Sequence, residues 1–303
     1  MQFRIIILTI ITFTLLFVLL FLVLENNSAI LTESITDGIS NRQQAYILPI
    51  SQPAAPIRNW GISDPSVDGK AAIIYDLKSN QILFDKNLDR RLPIASVTKV
   101  LSAVVVLENM DLDREIIVPK SALNTDGEGA ELFESERLTV DQLLHLMLIE
   151  SNNDAASTLA IRAGFDFVEE MNRVANRIGM NSSQFYDPAG FDDRGFSTVS
   201  DLINLIKYAI KYNYLWEIMS TRETSIVSTE GIVHNIKSTN ELFDEINGIV
   251  GGKTGYTDLA LGNLLLVIRD DLSTFATIIL GSNQRFSDSR ILYNWAREAY
   301  SFR

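Results

Sequence analysis

Hydrophobic residues recur with two different periods along this chain, and the change of period predicts the order of its elements. Residues 70–86, KAAIIYDLKSNQILFDK, form two short apolar blocks around a Lys-Ser-Asn turn, which is typical of a strand hairpin. After Pro93, the run VTKVLSAVVVLENM is apolar on most faces and predicts a buried helix that begins close to Ser96. Helical spacing continues in four further segments, at 138–150, 155–164, 165–180 and 198–212.

Shorter apolar blocks in the second half of the chain predict strands. We expect one antiparallel sheet, because short turns separate the blocks ETSIVS, GIVHNIKS, the segment that ends in KTG, LGNLLLVIR and STFATIILGS. The last segment, SDSRILYNWAREAYSF, has the pattern of an amphipathic helix with Ser287 as its cap, and Thr139 is a candidate cap at 138–150. The pattern as a whole predicts an α/β (α+β) domain with an antiparallel sheet and a helical lobe.

The N-terminal segment differs from the remainder of the chain. Residues 5–24, IIILTIITFTLLFVLLFLVL, carry no charge and are numerous enough to span a bilayer as a helix. Arg4 precedes this run, which predicts an N-terminus in the cytoplasm and the remaining chain outside. We therefore expect a transmembrane signal anchor at 1–24, a juxtamembrane linker at 25–57 and a folded domain at 58–303. A cleaved signal peptide is the alternative interpretation of the apolar run.

Composition excludes several classes of function. The chain of 303 residues has a formal net charge of −12 and a pI of about 4.7, which argues against a nucleic-acid partner. It contains no cysteine, which excludes a disulfide framework, a thiolate metal site and a lipoprotein anchor. Its two histidines, His145 and His234, are too few for most metal sites, and for His145 we expect packing or a helix-surface hydrogen bond.

One serine and one lysine have the spacing of a nucleophile and its base. Ser96 and Lys99 are three residues apart where the buried helix begins, so their side chains share a face. A serine needs a neighbouring base, and a lysine acts as one only when burial or a nearby cation lowers its pKa from about 10.4. The free backbone N–H groups at a helix start also favour a developing oxyanion.

Two further motifs strengthen this interpretation. Ser151-Asn152-Asn153 follows the end of a predicted helix, and Lys253-Thr254-Gly255 begins a predicted strand. Ser-x-x-Lys, Ser-x-Asn and Lys-Thr-Gly, in this order, form the signature of the penicillin-binding serine acyltransferases.

Longer segments around these motifs resemble one family over residues 58–303. LPIASVTKV, LNTDGEGAEL, ERLTVDQLLHLMLIESNNDAA, FYDPAGFDDRGFSTVSDLINLI and GGKTGYTDLALGNLLLV are similar, in order, to the D-alanyl-D-alanine carboxypeptidases, which are low-molecular-weight penicillin-binding proteins. The resemblance implies a β-lactamase/transpeptidase-like fold, with an antiparallel sheet flanked by helices on both faces and a helical lobe.

The resemblance also implies a role for each catalytic residue. Ser96 is expected to be the nucleophile and Lys99 its base. Ser151 would relay a proton to the leaving amine, and Asn153 would bind the substrate amide and help to hold Lys99. Lys253 would add positive charge, which keeps Lys99 deprotonated.

The substrate-binding residues implied by the resemblance are Thr254, Gly255 and Tyr256. Thr254 would bind the terminal carboxylate of the substrate, and the backbone N–H groups of Ser96 and Tyr256 would form the oxyanion hole. The expected reaction removes D-alanine from a peptidoglycan stem peptide through an acyl-enzyme, without a metal or cofactor, and β-lactams would inhibit it. The expected location is a single-pass protein of the bacterial cell membrane with its catalytic domain outside the cytoplasm.

The sequence leaves the second carboxylate contact and the exact reaction undefined. Some relatives carry an arginine shortly before Lys-Thr-Gly, whereas this chain has KSTNEL, so the second contact to the carboxylate is undefined. For the second Ser-x-Asn, Ser238-Thr239-Asn240, we expect a structural role. A class A-like β-lactamase and a non-catalytic envelope sensor that binds muropeptides are the alternative functions. Carboxypeptidase, endopeptidase and transpeptidase activity, the third stem residue and the oligomeric state are not distinguished by these patterns.

Overall fold

The computed structural model describes residues 55–123 and 131–302, which belong to one compact unit, Pro53–Arg303. The predicted span at 5–24, the predicted linker as far as residue 54, and residues 124–130 of the LNTDGEGAEL segment lie outside the described residues. Within the two described ranges, we find no helix that is both long and apolar enough to cross a membrane.

The helices and strands of the described residues occur in blocks along the chain, with consecutive helices between 140 and 220 and consecutive strands between 223 and 282. The α-helices are α1 Thr98–Asn109, α2 Val140–Ile149, α3 Asn153–Arg162, α4 Phe167–Arg177, α5 Val199–Ala209, α6 Asn213–Ser220 and α7 Arg285–Ala299. The strands are β1 Ile57–Arg58, β2 Ala71–Asp76, β3 Gln81–Lys86, β4 Glu115–Ile117, β5 Arg137–Thr139, β6 Glu223–Val227, β7 Val233–Lys237, β8 Ile249–Thr257, β9 Leu261–Arg269, β10 Thr274–Ser282 and β11 Tyr300–Ser301. Short 3-10 turns lie at Ala95–Val97, Lys120–Ala122 and Glu241–Asp244.

The main sheet has five antiparallel strands in the order β3-β2-β10-β9-β8. The prediction of one sheet is wrong for β6 and β7, which pair with each other in a separate hairpin. Buried and exposed residues alternate along this hairpin, whereas β9 and β10 are buried almost throughout. An antiparallel pair can bury one face and leave the other in water, and this hairpin packs against helix α2, where Gln142 donates to the carbonyl of Val227.

Hydrophobic side chains leave the main sheet on both faces. Ile73 and Tyr75 of β2 belong to the core that the sheet shares with the helical lobe. Ile74, which lies between them, belongs to a second core with Leu292 and Trp295 of α7. Alternate residues of a strand point to opposite faces, so one strand contributes to two hydrophobic layers. The predicted fold class, with helices on both faces of an antiparallel sheet, is confirmed.

Of the two predicted helix caps, one is confirmed and one is wrong. Thr139 caps α2 in a reciprocal arrangement with Gln142, as expected. The predicted cap Ser287 is wrong, because α7 begins two residues earlier and Gln284 precedes it without a side-chain cap. Helix α6, NYLWEIMS, was not predicted, because its eight residues are too few for a clear period.

Candidate active site

A short turn places the candidate nucleophile in front of helix α1. Ser96 lies in the 3-10 turn Ala95–Val97, and Ala95 has a φ of +46°, so the chain enters the helix abruptly. Lys99 follows in the first turn of α1, and its Nζ lies 2.8 Å from Oγ of Ser96. The predicted Ser-x-x-Lys contact is therefore present in the structure.

The amine of Lys99 is buried among polar atoms from two other segments, the Ser-x-Asn turn and the turn at Ala189. Its Nζ lies 2.6 Å from Oδ1 of Asn153, 3.3 Å from the carbonyl of Ala189 and 3.5 Å from Oγ of Ser151. Burial lowers the pKa of Lys99 to about 7, while the negative charge of Asp187 acts in the opposite direction. A large fraction of Lys99 is consequently neutral near pH 7 and able to accept a proton.

The Ser-x-Asn motif lies at the junction of two helices. Ser151 has a φ of +72° between the end of α2 and the start of α3. Asn152 caps α3 by accepting a hydrogen bond from the N–H of Ala155 at 2.8 Å. This sharp turn brings the side chains of Ser151 and Asn153 to the same amine of Lys99.

The lysine of the third motif approaches the same serine from the sheet. Nζ of Lys253, on β8, donates to Oγ of Ser151 at 2.8 Å and to the carbonyl of Thr254 at 3.1 Å. Burial lowers the pKa of Lys253 well below its ordinary value, and the positive charges of Lys99 and Arg285 lower it further. Two buried ammonium groups that share one hydroxyl are unfavourable, so the pair gives up protons more readily than isolated lysines.

These motifs border one open cleft with a volume of 790 Å³. Six of the eight predicted site residues line it, namely Ser96, Ser151, Asn153, Thr254, Gly255 and Tyr256. The two lysines are fully buried beneath them and reach the lining through Ser151. A Cβ on Gly255 would come within 3.0 Å of the backbone N of Ser96, so only glycine lets β8 approach the nucleophile this closely.

An aspartate organises the wall of the cleft opposite β8. The Asp187 carboxylate accepts hydrogen bonds from the backbone N–H groups of Ala189, Gly190, Phe191 and Asp192 at 2.7–3.1 Å. This turn presents the Ala189 carbonyl to Lys99. The sequence analysis assigned no role to Asp187, because a capped turn of this kind has no motif of its own.

An arginine that the sequence analysis did not single out also lines the cleft. Arg285 begins α7, and its side chain lies over Gly262, where a Cβ would come within 3.0 Å of the guanidinium. Within the described residues, its buried Nε has no hydrogen-bond partner. The strand register explains the position of Arg285. Tyr256 pairs with Gly262, Gly262 pairs with Ser282, and Arg285 follows Ser282 by three residues.

The second Ser-x-Asn has two different roles. Asn240 caps the 3-10 turn Glu241–Asp244, which confirms a structural role for that residue. Thr239 instead lines the cleft, and its Oγ1 lies 2.5 Å from Oγ1 of Thr254. The structural role expected for the whole motif is therefore confirmed for Asn240 and stays a prediction for Thr239.

Fold and site together are those of a serine hydrolase in which a buried lysine lies beside the candidate nucleophile. A sequence profile of the D-alanyl-D-alanine carboxypeptidase family, peptidase S11, matches residues 59–284. The chain belongs to this family, as the sequence resemblance predicted, and it is a serine hydrolase.

Individual relatives support this assignment. The chain is 32% identical over 201 residues to a D-alanyl-D-alanine endopeptidase of Haemophilus influenzae, covering 64% of this chain and 68% of that protein. It is also 32% identical to a D-alanyl-D-alanine carboxypeptidase of Mycobacterium tuberculosis, covering 65% of this chain and 70% of the relative. The crystal structure of a D-alanyl-D-alanine carboxypeptidase from the same organism superposes with a TM-score of 0.74 at 26% identity, covering 82% and 96% of the two chains.

Proposed function

We propose that this protein is a serine-type D-Ala-D-Ala carboxypeptidase that acts on peptidoglycan stem peptides and reacts with β-lactams. The observation that carries the proposal is the buried Lys99 amine, which lies 2.8 Å from Oγ of Ser96 and has a pKa of about 7. A neutral amine in this position is a general base for the serine hydroxyl at physiological pH.

Acylation follows from this geometry. Oγ of Ser96 attacks the carbonyl carbon of the D-Ala–D-Ala peptide bond, and its proton passes to Nζ of Lys99. The oxyanion forms beside the backbone N–H of Ser96, where Gly255 brings β8 close. When the C–N bond breaks, Ser151 donates its proton to the leaving nitrogen and takes up the proton that Lys99 received from Ser96, which leaves Lys99 neutral again. D-alanine leaves, and the shortened peptide remains as an ester on Ser96.

The free carboxylate of the substrate fits the strand side of the cleft. The Thr254 hydroxyl and the Arg285 guanidinium both line that side, and Arg285 has a buried donor without a partner among the described residues. A carboxylate there would also supply a counter-charge for Lys253, which lies between two cationic side chains. Arg285 therefore fills the second carboxylate contact that the sequence left undefined.

Hydrolysis of the ester uses the same base. Water attacks the acyl carbon, Lys99 accepts its proton, and the Ser96 oxygen regains a proton as the peptide acid leaves. A β-lactam places its strained amide where the peptide bond would lie, and ring opening leaves the acyl group on Ser96 without a departing amine.

Intact mass spectrometry of the full-length chain after exposure to benzylpenicillin tests the proposal. We expect a lasting adduct of one penicillin mass in the wild type and none in Ser96→Ala, together with D-alanine release from diacetyl-L-Lys-D-Ala-D-Ala. Ser225→Ala, an exposed serine on β6 outside the cleft, is the matched control and should still form the adduct. Rapid hydrolysis of penicillin without an adduct would favour a β-lactamase, and intact penicillin without an adduct would favour a sensor.

Endopeptidase activity is the second candidate, because the Haemophilus influenzae relative carries that name. The same acyl-enzyme would form, with the amine of a neighbouring stem peptide as the leaving group. Incubation with purified cross-linked muropeptide dimers, followed by chromatography, separates the two activities. Appearance of monomers would show endopeptidase activity, whereas trimmed but intact dimers would show carboxypeptidase activity alone.

Membrane attachment is a further part of the proposal. The uncharged run at 5–24 supports an anchor that holds residues 58–303 outside the cytoplasm. Fractionation of cells that express the full chain, with protease added to intact spheroplasts, tests this arrangement. Release of the domain by external protease is expected, and a protected domain would contradict the predicted orientation.

A further inference from the structure

Thr239 lies beside the hydroxyl that is expected to contact the substrate. Its Oγ1 is 2.5 Å from Oγ1 of Thr254, and both side chains line the cleft. Thr254 is only 5% exposed, and the contact with Thr239 is the one hydrogen bond that its hydroxyl makes among the described residues. The orientation of the Thr254 O–H bond therefore depends on this neighbour.

Backbone hydrogen bonds to two other segments hold the chain at Ser238 and Thr239. Its N–H donates to the carbonyl of Ile149, two residues before Ser151, and the N–H of Ser238 donates to the carbonyl of Arg222. Asn240 is buried and caps the following 3-10 turn. These contacts fix the Thr239 hydroxyl relative to Thr254 before any substrate binds.

Hydrogen-bond capacity determines the direction of the pair when substrate is present. A hydroxyl has one proton to donate, and a carboxylate can only accept. If the Thr254 proton goes to the substrate carboxylate, then Thr254 must accept a proton from Thr239. Such a chain strengthens the bond to the charged acceptor, because each hydrogen bond polarises the next.

We propose that Thr239 is a positioning residue for substrate recognition, whose hydroxyl donates to Thr254 and so directs the Thr254 proton to the terminal carboxylate of the substrate. This inference rests on the proposed carboxypeptidase function. It assigns a role in substrate binding to the one residue of the second Ser-x-Asn that faces the cleft.

Steady-state kinetics of the full-length chain with diacetyl-L-Lys-D-Ala-D-Ala test the proposal. Thr239→Val keeps the shape and removes the hydroxyl, and we expect KM to rise about 5- to 10-fold with kcat within about 2-fold. Thr239→Ser should restore the wild-type KM. Thr224→Val, on strand β6 outside the cleft lining, is the matched control and should leave both parameters unchanged.

A double-variant cycle with Thr254→Val distinguishes action through Thr254 from a general structural role. We expect Thr239→Val to lower kcat/KM by less than about 2-fold in the Thr254→Val background. Additive losses, an unchanged KM in Thr239→Val, or a loss confined to kcat would each overturn the proposal. If Thr239→Val does not fold by circular dichroism, Thr239→Ala replaces it with the same criteria. A wild type that neither releases D-alanine nor forms a penicillin adduct would refute the proposed function instead.

Discussion

Lys99 and Lys253 are both fully buried, and both contact Ser151, but their surroundings differ. Lys99 lies among acceptor oxygens and is influenced by the negative charge of Asp187. Lys253 is influenced by two cations, Lys99 and Arg285, and its pKa is lowered well below the ordinary value.

Their different surroundings suit the two lysines to two different chemical tasks in the same cleft. An amine with a pKa near 7 exchanges a proton easily in either direction, which suits a base that must accept and return protons. The neighbouring cations lower the pKa of the Lys253 amine, and a bound anion would raise it again. This property suits a group that binds the substrate carboxylate. In the proposed mechanism, the helical side of the cleft performs the proton transfer and the strand side recognises the charge of the substrate.

The largest effect is expected when the base is removed. Lys99→Met should slow acylation by benzylpenicillin on the order of 10³- to 10⁴-fold, because Ser96 loses its proton acceptor. Stopped-flow or quenched mass spectrometry measures this rate. Lys237→Met, an exposed lysine on β7, is the control and should keep the wild-type rate. A rate within tenfold of the wild type in Lys99→Met would end the assignment of Lys99 as the base.

Removal of the second lysine should cost less. Lys253→Met should slow acylation about 10²-fold, because it removes one positioned donor to Ser151 and a partner for the substrate carboxylate. Both rates come from the same assay, so their order compares the two lysines directly. If Lys253→Met lost more activity than Lys99→Met, Lys253 rather than Lys99 would be the base.

Loss of the guanidinium should affect binding rather than chemistry. Arg285→Gln should raise KM for diacetyl-L-Lys-D-Ala-D-Ala roughly 10- to 30-fold, because a charge-assisted contact to the carboxylate is lost. We expect kcat to change little. Arg290→Gln, on the same helix and paired with Glu245 outside the cleft, should match the wild type. An unchanged KM in Arg285→Gln would remove the residue from the carboxylate site.

The smallest effect concerns the pH dependence of acylation. Lys99 must be neutral to act, so the rate should rise with pH through about 7 and then reach a plateau. Asp187→Asn removes the charge that favours protonated Lys99, so the rise should move to lower pH by about one pH unit. Rates from pH 5 to 9 measure this shift. Lys253 is the other nearby group whose pKa is lowered, by burial and by the charges of Lys99 and Arg285, whereas the Arg285 guanidinium stays protonated over this pH range. A uniform loss at every pH, without a shift, would indicate that Asp187 only holds its turn.

The sequence predicted the residues of the three motifs more fully than the residues that surround them, for a physical reason. Ser96 and Lys99 meet within one helical turn, so their contact is local, and the burial of Lys99 follows from the apolar helix around it. Strand pairing and other long-range contacts place Arg285 and Thr239 at the cleft, and no short sequence pattern predicts such contacts. They were found only when the register was known.

The same limit explains the error in the sheet. Strands β6 and β7 have the same short apolar blocks as the sheet strands, so their local pattern indicates a strand but not its partner. The fold class as a whole was predictable, because the family resemblance covered most of the domain. The unpredicted helix α6 and the start of α7 depend on packing rather than on period.

The buried lysines also connect catalysis with the folding equilibrium through proton uptake. Lys99 has a pKa of about 7 in the folded protein and about 10.4 in an unfolded chain, so unfolding between these values takes up a proton. Because the unfolded state binds more protons there, this group makes the folded protein more stable as the pH rises from about 7 towards 10. Tyr293, with its pKa raised to about 12, acts in the opposite direction above pH 10. Mildly alkaline conditions therefore favour both the folded chain and the neutral amine that activates its nucleophile.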